Sequence, residues 1–122
     1  MNLSPNAYEL LQRLRRAYVE AGEDGWCRDS YWEDDGERCC LVGRAARIEG
    51  CSNFSDAVMF HAHSPMWSEL KWAAAGLGYQ LVHTNDELGF VATCALLDQM
   101  LAKCQPVEGG VSENLREAYV AG

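Results

Sequence analysis

Cys40, Arg44 and Arg47 have the strongest claim to chemistry in this chain. On a helix starting near Arg38 the three share one face, where the helix N-terminus and two guanidinium groups would favour thiolate over thiol and so activate a nucleophile or redox thiol. This reading predicts preferential alkylation of Cys40 at neutral pH. Glu37 opposes it, there is no Cys-x-x-Cys motif, and cysteine is among the residues most often simply buried. The competing reading makes Cys39-Cys40-Leu41-Val42-Gly43-Arg44-Ala45 a central packing helix. Cys39 then faces the core with Val42 and Ala46, and Gly43 marks the closest approach of another segment, since a mid-helix glycine costs about 1 kcal/mol against alanine.

A second constellation is metal binding, for which Cys27, Cys39, Cys40, Cys51, His61 and His63 supply enough donors. Structural zinc sites usually take closely spaced ligand pairs across a turn, and an adjacent Cys-Cys with a His-x-His is a poor match. No cofactor is expected. His83 and Asp86 could do acid-base work, but Asn85-Asp86 ahead of an amphipathic helix is accounted for by an Asx turn and a cap. Phosphate-loop, dinucleotide, nucleophile-elbow and zinc-protease motifs are absent, which shifts the reading toward binding.

Binding candidates come from the aromatics and acids. Trp72 falls beside Ser68, Glu69 and Ala75, away from the Met66-Leu70-Ala73 stripe, so it is either covered by another part of the domain or is an interface anchor. Trp32 is a second anchor inside an acidic stretch that includes Glu33, Asp34 and Asp35. Between Glu23 and Glu37 seven acidic residues face one basic residue, giving -6 of the chain's net -8. That charge argues against a protein built to grip nucleic acid. The patch is either a solvated loop, a docking face for a basic partner, or the start of a DNA-mimicking surface, for which seven acids on one loop are few.

The elements that must position these residues are mostly helices. Ser4-Pro5 starts one that carries Ala7, Leu10, Leu11, Leu14, Ala17, Tyr18 and Ala21 on one side and ends at Gly22. Residues 26–37 read as a short irregular hairpin around Asp34-Asp35-Gly36. A buried helix then runs from Arg38 to Glu49, and a shorter one from Asn53 to His63 capped by Ser55. Ser64-Pro65 opens another, reaching Gly76 or Gly78. Tyr79 to His83 reads as extended. Thr84, Asn85 and Asp86 precede a last long helix with Phe90, Cys94, Leu97, Leu101 and Cys104 in a line. Val107 to Gly110 is a linker, and Ser112 caps a short helix in which Leu115 to Val120 nearly repeats Leu14 to Val19.

Trp26 with its acidic hairpin, Cys40-Leu41-Val42-Gly43, Leu77-Gly78-Tyr79, Asn85-Asp86 and Ala95-Leu96-Leu97-Asp98 follow one another at spacings that resemble a small domain family of unknown function found mainly in actinobacteria and their phages. The resemblance covers residues 8–104, and Arg44 stands where that family's pattern has a small residue. It implies a compact, mainly helical fold, a structural part for Trp26, Gly43, Asn85 and Asp86, and no established activity.

The resulting expectation is a mainly α bundle of four to five helices with a short β-hairpin or extended element. Residues 1–104 form one domain, and 105–122 a linker and short helix able to dock on it. The 122 residues bury enough surface to be stable without staples. No apolar leader or membrane span opens the chain, so a cytoplasmic setting with reduced thiols is expected. The function expected is that of an acidic interaction protein, phage-encoded and binding a host protein. A thiol enzyme using Cys40 and a DNA mimic are the alternatives.

Overall fold

Ser4 opens the first helix as its type predicts: its hydroxyl accepts from the Ala7 N–H at 3.2 Å, and Pro5 occupies the first helical position. This helix, α1 (Pro5–Ala21), buries Ala7, Leu10, Leu11, Leu14 and Tyr18. Gly22 ends it at φ 68, a left-handed conformation that glycine adopts without strain, and a 3-10 turn follows over Gly22–Gly25. Glu69 fixes the entry to α1 from a distant helix, accepting from Ser4 N at 2.8 Å and from Ser4 Oγ at 2.7 Å.

The computed structural model of the protein describes residues 1–33 and 37–107. Asp34, Asp35 and the turn at Gly36, together with the expected C-terminal helix and its echo of α1, lie outside the described residues. After α1 come α2 (Leu41–Ile48), α3 (Phe54–His63), α4 (Pro65–Gly76), a single turn α5 (Leu81–His83), a π-helical turn over Thr84–Leu88, and α6 (Phe90–Lys103). The mainly helical class with a short β element is what the sequence predicts.

The regular strand pairing lies elsewhere than expected. Asn2–Leu3 (β1) pairs in parallel with Gln105–Pro106 (β2), beyond the expected domain end at residue 104. Among the described residues of the expected hairpin region only single bridges form, Trp26 with Cys39 in parallel and Trp32 with Cys39 antiparallel.

Four local expectations are corrected. The central helix begins at Leu41 rather than near Arg38, because the bridges hold Cys39 extended and Cys40 becomes the cap. Asn53, not Ser55, caps α3: its side chain accepts from Asp56 N at 2.8 Å, an arrangement that leaves Ser55 inside the helix. Residues 81–83 are helical rather than extended and lead directly into the π turn. On α6 the fully covered side is Thr93, Leu96, Leu97 and Met100, with Phe90, Cys94 and Leu101 at its half-buried edges.

The core lies where α1 meets α2, α4 and α6, around Leu10, Leu11, Leu14, Tyr18, Trp67, Leu70, Leu97 and Met100. Its apolar burial, at about 25 cal/mol per Å², is the main stabilising term. Tyr18 ties this core to the loop region by donating from its hydroxyl to the Cys39 carbonyl at 2.9 Å.

Candidate functional site

Trp26 meets Asn85, 59 positions away, and the adjacent Asp86 in one hydrogen-bonded cluster. The Asn85 side-chain oxygen accepts from the Trp26 indole N–H at 2.7 Å and from the Leu41 backbone N–H at 3.0 Å. Its amide nitrogen donates to the Cys27 carbonyl at 3.1 Å and to Asp86 Oδ1 at 2.9 Å. A side-chain amide has two acceptor and two donor positions, so this buried group is fully satisfied. Asn85 thus caps α2 across the fold rather than capping the helix that follows it.

The same cluster positions the loop between Cys27 and Trp32. Asp86 Oδ1 also accepts from Asp29 N at 3.0 Å, holding Asp29 at φ 64, a left-handed conformation that aspartate tolerates. Arg28 donates to the Asp86 carbonyl at 3.1 Å and lies 5.1 Å from the Trp26 ring centre. At its other end the loop rests on α2: the Tyr31 carbonyl accepts from Cys40 N at 3.1 Å, and a β-carbon at Gly43 would lie 1.8 Å from that carbonyl oxygen. The closest approach predicted at Gly43 is therefore made by the backbone of Tyr31.

Between this pinned loop, the start of α2, α3 and the turn after α5 lies a groove of about 570 Å³. That volume is in the range of ligand pockets. Tyr31, Val42, Phe54, Val58 and Val82 make its walls mainly apolar, with Ser30, Cys40 and His61 as polar points and Asp29 and Asp86 side by side. On the α3 side the Tyr31 hydroxyl and His61 Nδ1 are 3.0 Å apart, and the Tyr31 and Phe54 rings are 6.5 Å apart. Burial, aided by the charge of Lys71, holds the His61 pKa below its ordinary value.

The arrangement does not activate Cys40. Its sulfur accepts from Gly43 N at 3.4 Å as the cap of α2, and burial pushes the thiol up to about 12, opposite to the shift a nucleophile needs. Burial, reinforced by the nearby Glu33 charge, likewise raises Cys27 to about 11. The two arginines are engaged elsewhere. Arg44 donates from Nη2 to the Gly25 carbonyl at 2.9 Å and the Glu37 carbonyl at 3.0 Å, while Arg47 stacks 4.3 Å from the Trp32 ring centre. The expected Cys40-Arg44-Arg47 face is thus replaced by a cap, a loop clamp and a cation-π contact, and the thiol-enzyme reading loses its basis.

The metal alternative also fails on geometry. Cys27, Cys39, Cys51, His61 and His63 are not brought together, and among the described residues no group of three or more His, Cys, Asp or Glu side chains could hold an ion. Nor do the six cysteines form a disulfide.

The two tryptophan anchors part company. Trp32 is only 8% exposed, packed 5.0 Å from the Phe54 ring and under Arg47, so it supports the groove wall instead of reaching a partner. Trp72 is 65% exposed on α4. Glu33 is exposed and lies 3.9 Å from Arg38, a weak surface pair. The groove itself was missed by sequence reasoning. Its signal was the apolar surplus of residues 54–60, more than a helix with one covered side requires.

Comparisons with protein-family models, curated proteins and solved structures find no match. Among the described residues no helix is long and apolar enough to cross a membrane.

Proposed function

We propose that this protein is a non-enzymatic interaction module that holds part of a partner protein in the groove between Tyr31 and α3. The observation that carries this reading is an apolar wall facing water at a concave site: Phe54 is 53% and Val58 49% exposed, both lining the groove. Large apolar side chains clustered at a concavity are the pattern of a recognition surface rather than of ordinary surface wear. The polar groups around the groove support the same reading. Asn85, Asp86 and Cys40 each hold backbone in place, and Tyr31 and His61 bond to one another.

In this reading the setting is a bacterial cytoplasm, and the resemblance to a family with phage members makes the partner a host protein. Capture from an actinobacterial lysate by the full chain, compared with Val58→Asp and Trp72→Ala, tests it. A protein retained by the wild type and by Trp72→Ala but lost with Val58→Asp is the expected result. Loss with Trp72→Ala alone would move the interface to α4, and equal capture by all three chains would overturn the proposal.

A further inference from the structure

Two chemically different sets of groups line the groove. Along α3, Phe54, Val58 and His61 are spaced by four and three residues, so they lie on one side of the helix and form a stripe roughly 10 Å long at 1.5 Å per residue. That equals about three residues of extended chain. The lining also carries Asp29 and Asp86, contributed by the loop and by the turn after α5 and brought together by the bond from Asp29 N to Asp86 Oδ1. It is the N–H of Asp29, and not its carboxylate, that makes this bond, and the residue is exposed.

Nearby cations offset that acidic pair only in part. Arg28, bonded to the Asp86 carbonyl and lying over Trp26, balances one of the two carboxylate charges and leaves the other, while Arg38 lies by Glu33. Lys71 acts on His61 of α3. Glu23, Asp24 and Glu33 extend the negative field outside the groove, on a chain whose net charge is -8. Such a field concentrates cationic partners and speeds their encounter.

Resting on the proposed interaction role, we infer that the segment held in the groove is cationic and apolar at once. An aromatic or aliphatic side chain enters between Tyr31, Phe54 and Val58, and a lysine or arginine a few positions away faces Asp29 and Asp86. The α3 stripe is long enough to order a short extended peptide, and the apolar contact supplies most of the affinity. The carboxylates select which peptide is held.

The test is selection of random displayed peptides on the immobilised full chain, with Val58→Asp as the counter-selection. Circular dichroism first checks that both Val58→Asp and Asp29→Asn fold as the wild type does. Enriched peptides are expected to pair an aromatic or aliphatic residue with a nearby lysine or arginine. Binding of such a peptide at low salt should weaken about two- to five-fold with Asp29→Asn, the range of an exposed ion pair. Changing the peptide's basic residue to glutamine should weaken it similarly, and the two changes together should cost little more than either alone. Peptides that need Val58 but lack basic residues, or ignore Asp29→Asn, would overturn the inference while leaving the groove as an interaction site. Enrichment indifferent to Val58→Asp, or no enrichment, would overturn both.

Discussion

The indole of Trp26 donates to the side-chain oxygen of Asn85 at 2.7 Å across 59 positions of sequence, and the same oxygen caps α2 through Leu41 N. One amide thereby fixes the loop that begins at Cys27, the start of α2 and the turn after α5, which together frame the groove.

Replacing Asn85 by leucine should therefore be severe. It strands the Trp26 indole N–H, the Leu41 N–H and the Cys27 carbonyl in a buried site, at a cost of about 1–3 kcal/mol for each group left unpaired and partly relieved by relaxation. A net loss of about 3 kcal/mol in urea unfolding is expected. A loss under about 1 kcal/mol would show that the cluster is not a stabilising hub.

At Gly43 two effects oppose each other. Alanine would gain about 1 kcal/mol of helix propensity, but its methyl would meet the Tyr31 carbonyl at 1.8 Å, a backbone atom that no rotamer change can move aside. Overpacking of this kind costs about 1–3 kcal/mol and would displace the groove-forming loop. Gly43→Ala should lower the melting temperature and weaken groove binding together, measured by calorimetry and by titration of a selected peptide.

Stability should fall with pH through His61. Its folded pKa lies below the ordinary 6.5, so as pH falls below that value the unfolded chain takes up the proton first and gains at the expense of the fold. The contribution is fully present above 6.5 and is lost as pH drops toward the lowered folded value. Urea unfolding at stepped pH should show a shallower decline for His61→Gln than for the wild type. Equal slopes would remove His61 as the cause.

Thiol labelling should run opposite to an activated Cys40. Cys51 and Cys94 are half-buried, whereas Cys40 and Cys27 are buried and raised to about 12 and 11. At neutral pH a thiol at about 12 is thiolate to only about one part in 10⁵, so iodoacetamide should modify Cys51 and Cys94 well before Cys40. Early labelling of Cys40 by peptide mapping would contradict the cap geometry.

What was legible in the sequence was local. Ser4-Pro5 and Ser64-Pro65 start α1 and α4 because a cap bonds within three residues of itself, and the apolar stripes follow from helical spacing. Gly43 was legible too, since a mid-helix glycine implies a close neighbour, although not which one. Asn85 misled because an Asx residue before a helix normally serves that helix, while here its partners lie up to 59 positions away. Cys40 misled for a related reason: a thiol in the place of the usual oxygen cap hid the start of α2 and placed a nucleophile where there is a hydrogen-bond acceptor. The β1–β2 pairing and the groove depend on tertiary contact alone, and two-residue strands leave no periodicity to read.

The contact between Gly43 and the Tyr31 carbonyl divides labour within the molecule. The loop's course is set by backbone atoms and by Asn85, helped by the Ser30 hydroxyl on the Trp32 carbonyl and by Phe54 against Trp32, whereas the half-exposed side chain of Val58 lines the groove and can make no hydrogen bond to that frame. A chain organised this way can change what it recognises by drifting at Val58 and its exposed neighbours on α3 while its architecture stays put. Related chains could thus share a frame and differ in their targets, and a laboratory library varied only there would start from a scaffold already able to fold.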